Sequence, residues 1–274
     1  MSVIALVGAS GGPGVTTTAL AGLLTWPLQP GRRVLLAECD PDGGSVVAGY
    51  LEGRVPGPHS LANLQVADRL GRLEEGLWEQ LINLSVPDAA ADRLLLPGLK
   101  SPAQAAGMQQ TWPRLATLFG AWHRSAGCDV LLDLGRSGAY GASGALAAAA
   151  DVVAVVVRGT LRAAAAARPR IEALQEMAAA RAGQGIGLVL IDEGPYAERD
   201  LVQYLGLPVL ARLPYDEKAA RILAHGGDGG KAFSRSPLLR QAAAMGAQLQ
   251  QVAAARQAAL QTPAGEVTAR GSAR

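Results

Sequence analysis

The residues with the clearest chemical potential are the glycines of Gly8-Ala9-Ser10-Gly11-Gly12-Pro13-Gly14-Val15-Thr16-Thr17-Thr18. Glycines at this density let successive backbone N–H groups converge on one point. A helix that starts at the last glycine adds its positive end, so the segment is laid out to hold phosphate. It follows an apolar, strand-like run over 3–7 and precedes a helical pattern from Thr16. Two ligand classes use such a loop, and other residues must separate them.

In the first, Gly8, Gly11 and Gly14 form a G-x-x-G-x-x-G dinucleotide fingerprint, with Glu38 or Asp40 ending the second strand where a ribose would sit. This spacing resembles the short-chain dehydrogenase and epimerase group, which needs a tyrosine followed four residues later by lysine. Lysine occurs only at Lys100, Lys218 and Lys231, and none of Tyr50, Tyr140, Tyr196, Tyr204 or Tyr215 has one at that distance. An NAD(P)-binding, reductase-like protein therefore stands as an alternative on glycine spacing alone.

In the second, Gly14-Val15-Thr16 takes the place of the G-K-[ST] end of a Walker A loop, with Thr16 free to reach Mg²⁺. The segment Gly11-Gly12-Pro13-Gly14-Val15-Thr16-Thr17 resembles the deviant Walker A motif of the MinD/ParA family, K-G-G-x-G-K-[ST]-T. Ala37-Glu38-Cys39-Asp40-Pro41-Asp42-Gly43-Gly44 is similar to that family's second strand and first switch. Cys128-Asp129-Val130-Leu131-Leu132-Asp133 resembles its Walker B strand, and Leu207-Pro208-Val209 through Pro214-Tyr215-Asp216 its late core segment. These matches keep the family order over roughly 3–249.

The resemblance implies a P-loop ATPase fold, ATP and Mg²⁺ as ligands, and a bacterial, cytoplasmic role in partitioning chromosomes or plasmids or in positioning a secretion or pilus apparatus. It implies nucleotide contacts from Gly11, Gly12, Gly14, Val15, Thr16 and Thr17, magnesium at Thr16 and Asp133, and a water oriented by Asp40. The departures from the pattern are chemical. Ser10 and Val15 stand where the family carries its signature and Walker lysines. A charge-assisted hydrogen bond contributes about 1.5–3 kcal/mol, so losing two weakens triphosphate binding by about two to four orders of magnitude. Hydrolysis suffers more, because a cation on the transferring phosphoryl group is worth about 10³ to 10⁵ in rate.

A pseudo-ATPase or very slow ATPase is therefore expected, with ATP and Mg²⁺ bound weakly. Arg158, just after the apolar run 152–157, is the candidate to replace a missing lysine, which would leave a genuine slow ATPase; Arg136 is the second. Asp42, beside Gly43 and Gly44, is expected to shape a turn, and Asp192 replaces an Asn that the family often uses against adenine. The resemblance also implies protein partners or a homodimer, and without a lysine at position 10 a dimer contact is not expected to depend on ATP.

The elements that must position these residues follow from hydrophobic patterning. Apolar runs at 3–7, 33–37, 93–96, 130–132, 152–157, 187–191 and 209–211 alternate with helical segments at 16–26, 61–70, 74–84, 103–123, 161–181, 198–205, 217–224 and 238–260. This alternation predicts one α/β domain over 1–261 with a doubly wound, mostly parallel sheet of about seven strands. Pro113 is expected to kink or split the fourth helix, Gly226 to Gly230 to form a loop, and 262–274 to be a disordered tail.

Hydrophobic residues make up 49 % of the chain, charged residues 18 % and aromatics 4 %, so Leu, Val and Ala must fill the core. The net charge of +2 gives no strong field, and arginines at 168, 170, 181, 212, 221, 235 and 240 allow at most weak, nonspecific DNA binding. Cys39 and Cys128 lack metal-ligand spacing, the three histidines are scattered, and no metal cluster, signal peptide or membrane-inserting segment is expected.

Overall fold

The computed structural model describes residues 2–9, 12–179 and 185–261. Its strands are β1 Val3–Val7, β2 Arg33–Glu38, β3 Ile82–Asn83, β4 Asp92–Leu96, β5 Cys128–Asp133, β6 Val152–Arg158, β7 Gly185–Asp192 and β8 Val209–Pro214. They form one sheet in the order β3-β4-β2-β5-β1-β6-β7-β8. Every pairing is parallel except β3 with β4. The central strands read as unbroken apolar runs because both faces are covered.

The helices are α1 Val15–Thr25, α2 Leu64–Arg69, α3 Leu73–Gln80, α4 Pro102–Gly107, α5 Thr111–Ser125 and α6 Gly144–Ala149, followed by α7 Leu161–Ala179, α8 Glu198–Leu205, α9 Glu217–His225, α10 Gly230–Ser234 and α11 Pro237–Gln261. Successive β1 side chains divide between two cores. Val3, Ala5 and Val7 join Phe119, Leu146, Ile171 and Leu201 of α5 to α8; Ile4 and Leu6 join Leu20 of α1, Leu223 of α9 and Leu249 of α11. The chain passes to one side of β1 to build β2 to β5 and to the other for β6 to β8. The carboxyl end of β1 is therefore the topological switch point, where open α/β sheets bind ligands.

Two local expectations change. The pattern over 74–84 is not one helix: α3 ends at Gln80, and Ile82 and Asn83 pair with Leu95 and Leu94 as an eighth strand. The exposed edge of β4 recruits them. The helix expected over 103–123 is two helices, but the break follows Gly107, not Pro113. Pro113 lies in the first turn of α5, where a missing N–H costs no intrahelical bond. Gly230 opens the short helix α10 within the glycine-rich stretch. The tail 262–274 lies outside the described residues.

The amino edge of the sheet is fastened by polar contacts. Asp129, 5 % exposed, accepts from the Ser2 amide at 2.7 Å, the Trp26 indole at 2.9 Å and the Gln250 amide at 2.9 Å. Arg256 of α11 donates to the carbonyls of Ala150 and Asp151 on the same edge. At the end of α1, Arg93 donates to the Leu23 and Trp26 carbonyls, which the helix itself leaves unpaired.

Candidate functional site

The glycine loop leaves β1 at the switch point. The Gly8 amide donates to the Gly135 carbonyl at 2.8 Å, anchoring the loop to the turn after β5. Ser10 and Gly11 lie outside the described residues. Gly14 begins α1 with φ of +95°, a conformation open to glycine, and has no side chain to cap the helix. The first turn also lacks an acidic residue, so the amides at the start of α1 face the loop without a carboxylate of their own.

Val15 is 5 % exposed and belongs to the core with Ile4 and Leu20. A Cβ on Gly8 would stand 2.5 Å from Val15 Cγ2 and 2.6 Å from Pro13 Cγ. The side chain thus packs back over Gly8, and Val15 can offer a phosphate only its amide.

Thr16 lies beside Asp133 at the loop floor, where its hydroxyl favours the ionised carboxylate. Asp133 ends β5, is 2 % exposed, and also accepts from the Gly135 amide at 3.0 Å. Burial, reinforced by the negative charges of Glu38 and Asp40, pushes its carboxyl up to about 7 despite these hydrogen bonds. Among the described residues no group of three or more His, Cys, Asp or Glu could hold a metal unaided. Thr16 and Asp133 instead fit Mg²⁺, which takes one or two protein ligands and completes its shell with phosphate and water.

Asp40 follows β2 and leans over Gly135: a Cβ there would fall 1.6 Å from Asp40 Oδ2. Its carboxylate accepts from the amides of Asp42, at 3.0 Å, and Arg136. Burial still raises its pKa. Asp42 forms the expected turn and pairs with Arg136, Nε to Oδ2 at 2.9 Å, while Ser137 donates to the same oxygen. That pairing holds the Asp42 carboxyl below its usual range. Arg136 accordingly points at Asp42.

Glu38 has a role that the sequence does not signal. It is 2 % exposed and accepts from the amides of Ser45 at 2.6 Å, Val46 at 2.9 Å and Gly98 at 3.2 Å. It ties the loop after β2 to the loop after β4 and has no exposed oxygen for a ribose. Cys39 beside it is fully buried, its thiol pushed well up by burial and the neighbouring acids.

Arg158 ends β6 and reaches over the loop, Nη2 donating to the Gly12 carbonyl at 3.0 Å. Its Nη1 lies 2.8 Å from Glu193 Oε2. Arg158 also lines an apolar cleft beside α1 with Thr17, Ile191, Leu213, Tyr215 and Asp216. Asp192 does not face that cleft; it pairs with Arg212 at 2.9 Å. The described arginines considered for DNA divide between α7, β8, α9, the end of α10 and α11. Arg168, Arg212 and Arg221 hold carboxylates, Arg170 holds the Arg136 carbonyl, and Arg181 lies outside the described residues.

This mostly parallel sheet, with a glycine loop leaving its central first strand, is a fold shared with solved MinD and ParA structures. The chain is similar to the septum site-determining protein MinD complexed with Mg-ADP from Pyrococcus horikoshii OT3, at 15 % identity and TM-score 0.68 over 93 % of this chain and 98 % of that one. It is similar to a ParA family ATPase from Chlorobium tepidum TLS, at 19 % identity and TM-score 0.69 over 90 % and 98 %. It also resembles the MinC:MinD cell division protein complex of Aquifex aeolicus, at 18 % identity and TM-score 0.67 over 92 % and 96 %. No family model and no curated protein matches the sequence. Among the described residues no helix is long and apolar enough to cross a membrane.

Proposed function

We propose that this chain is a positioning or partitioning factor of the MinD/ParA type that binds adenine nucleotide weakly and turns it over slowly or not at all. One observation carries the reading: the Thr16–Asp133 pair is kept at the loop floor while the residue at the Walker lysine position, Val15, is buried in the core. The magnesium half of the site survives and the lysine half does not. In this reading the amides of Gly11 to Val15 hold the phosphates, Thr16 and Asp133 hold Mg²⁺, and Asp40 stands where a water would be oriented. Magnesium, when bound, supplies the charge that neutralises the polyphosphate. The apolar cleft beside Thr17 suits a planar base.

The fold supports this role because its structural neighbours include MinD and ParA proteins and a MinC-bound MinD. Work of this kind needs a partner, and a homodimer or a cargo protein fits; DNA contact, if any, is weak and nonspecific. A cytoplasmic setting follows from the same reading. The Arg158 contact with Gly12 favours one second reading, a slow ATPase with Arg158 in place of lysine.

Calorimetry with ATP and Mg²⁺, paired with a phosphate-release assay, tests both. Weak binding without turnover, strengthened in the Ser10→Lys, Val15→Lys double variant, is expected. Low-micromolar binding with turnover typical of MinD proteins would overturn the degenerate-site reading in favour of the arginine. Absence of binding in both proteins would leave the loop as scaffold.

A further inference from the structure

Arg158 is held from two sides, by the Gly12 carbonyl at 3.0 Å and by Glu193 at 2.8 Å. The second contact is an ion pair without hydrogen-bond alignment: Arg158 Nε and Glu193 Oε2 are both shielded from water and have no hydrogen-bond partner among the described residues. The side chains remain 34 % and 31 % exposed, so a ligand can reach them. The turn after β7 does not need this carboxylate, because the Glu193 backbone closes it, the amide donating to the Ile191 carbonyl at 2.7 Å.

The other charges around Arg158 are already engaged. Asp192 and Glu198 both address Arg212, at 2.9 and 3.5 Å. Asp216, across the cleft, caps α9 by accepting from Ala219 at 3.1 Å. Among the described residues Glu193 is therefore the carboxylate left to Arg158, and Arg158 is the guanidinium that touches the loop, at Gly12. A guanidinium offers five donors in a planar fork suited to phosphate, and a carboxylate on that fork competes for the same donors.

We infer that Glu193 is a built-in competitor for the phosphate site: it occupies Arg158, the cation that serves the loop in place of the absent lysines, and sets a low nucleotide affinity that a polyphosphate must overcome by displacing it. The inference rests on the reading of the loop as a nucleotide site. When phosphate arrives, Arg158 exchanges one anion for another and gains little. With Glu193 neutral, the full charge-assisted contact is available to the ligand and the repulsion between carboxylate and phosphate disappears.

The test is a calorimetric titration of ATP, and separately AMP, each with Mg²⁺, into the full chain and its Glu193→Gln, Arg158→Gln and doubly substituted forms, with melting curves to verify folding. Glu193→Gln is expected to bind ATP about tenfold tighter, the lower end of the worth of one charge-assisted hydrogen bond, and to change AMP binding less. Arg158→Gln is expected to bind about tenfold more weakly, and the gain from Glu193→Gln should vanish in the double variant. A Glu193→Asp protein, whose shorter side chain withdraws from Arg158, should tighten part of the way and serves if Glu193→Gln folds poorly. Unchanged ATP affinity in the Glu193 variants of a protein that does bind ATP overturns the inference and leaves the nucleotide reading standing, as does a gain that persists without Arg158. Absence of ATP binding in every form overturns both.

Discussion

Asp42 and Arg136 meet above the carboxyl edge of the sheet, Oδ2 to Nε at 2.9 Å, and join the loop after β2 to the loop after β5. The side chains are 39 % and 59 % exposed, so water screens the pair and its worth to global stability is small. Its effect is local, because Asp40, which leans on Gly135, lies between the two loops it ties. Arg136→Ala is expected to leave global stability nearly unchanged, because solvent screens the pair, while speeding amide exchange over 134–139. Hydrogen-exchange mass spectrometry beside a urea melt checks this; unchanged exchange would mean the pair organises nothing.

Asp133 gives a pH dependence with a defined sign. Its carboxyl titrates near 7 in the folded chain, against an ordinary 3.8, so the native state holds the proton more tightly than the unfolded one. The associated stability is fully present below about pH 4 and is lost as pH rises through about 7. The ligand-free protein should melt progressively lower over that interval, and Asp133→Asn should flatten the trend, separating it from the rise at Glu38. Magnesium needs the ionised acid, so magnesium-dependent nucleotide binding should strengthen up to about pH 7 and then level off.

Glu38 should be among the costliest polar residues to replace. Alanine would strand the three amides of Ser45, Val46 and Gly98 without their acceptor, and glutamine would turn an N–H₂ group toward at least one N–H. A loss of about 2–4 kcal/mol for Glu38→Ala, with Glu38→Gln also destabilised, is expected from chemical denaturation. A neutral outcome would mean that water replaces the carboxylate.

Val15→Lys places an ammonium where a valine packs against Gly8 and Pro13. Without ligand the variant should lose about 1–3 kcal/mol. With ATP and Mg²⁺ the lysine has a reason to turn into the loop, so thermal shift by nucleotide should exceed that of the native chain. Differential scanning fluorimetry with and without ATP reads both effects.

Assembly should be indifferent to ATP. Multi-angle light scattering is expected to give the same mass with and without ATP and Mg²⁺, because position 10 is serine and carries no charge toward a partner's nucleotide. An ATP-driven doubling of mass would count against the degenerate site.

Much of this was legible in residue order because central parallel strands announce themselves as apolar runs, and the glycines after β1 have few uses besides phosphate. What escaped depends on distance. Ile82 and Asn83 become a strand only because the edge of β4 is free, which no two-residue periodicity can reveal. Glu38 is organised by an amide from Gly98, 60 residues away. The position of Arg158 at the sheet edge followed from its place after the apolar run, but its partner Glu193 follows only from the β6–β7 register that sets Arg158 beside Ile191.

The contacts around Asp129 make the molecule mechanically lopsided. At the amino edge a single buried carboxylate clamps the chain start, the end of α1 and the last helix together, whereas on the opposite rim, away from the buried Glu38, loops are joined by more exposed ion pairs such as Asp42–Arg136 and Arg158–Glu193. Fluctuations should therefore be confined to one rim. Any ligand or partner that docks there will quiet a handful of loops against a motionless background, and the amides of α11 supply the internal reference from which that quieting can be read.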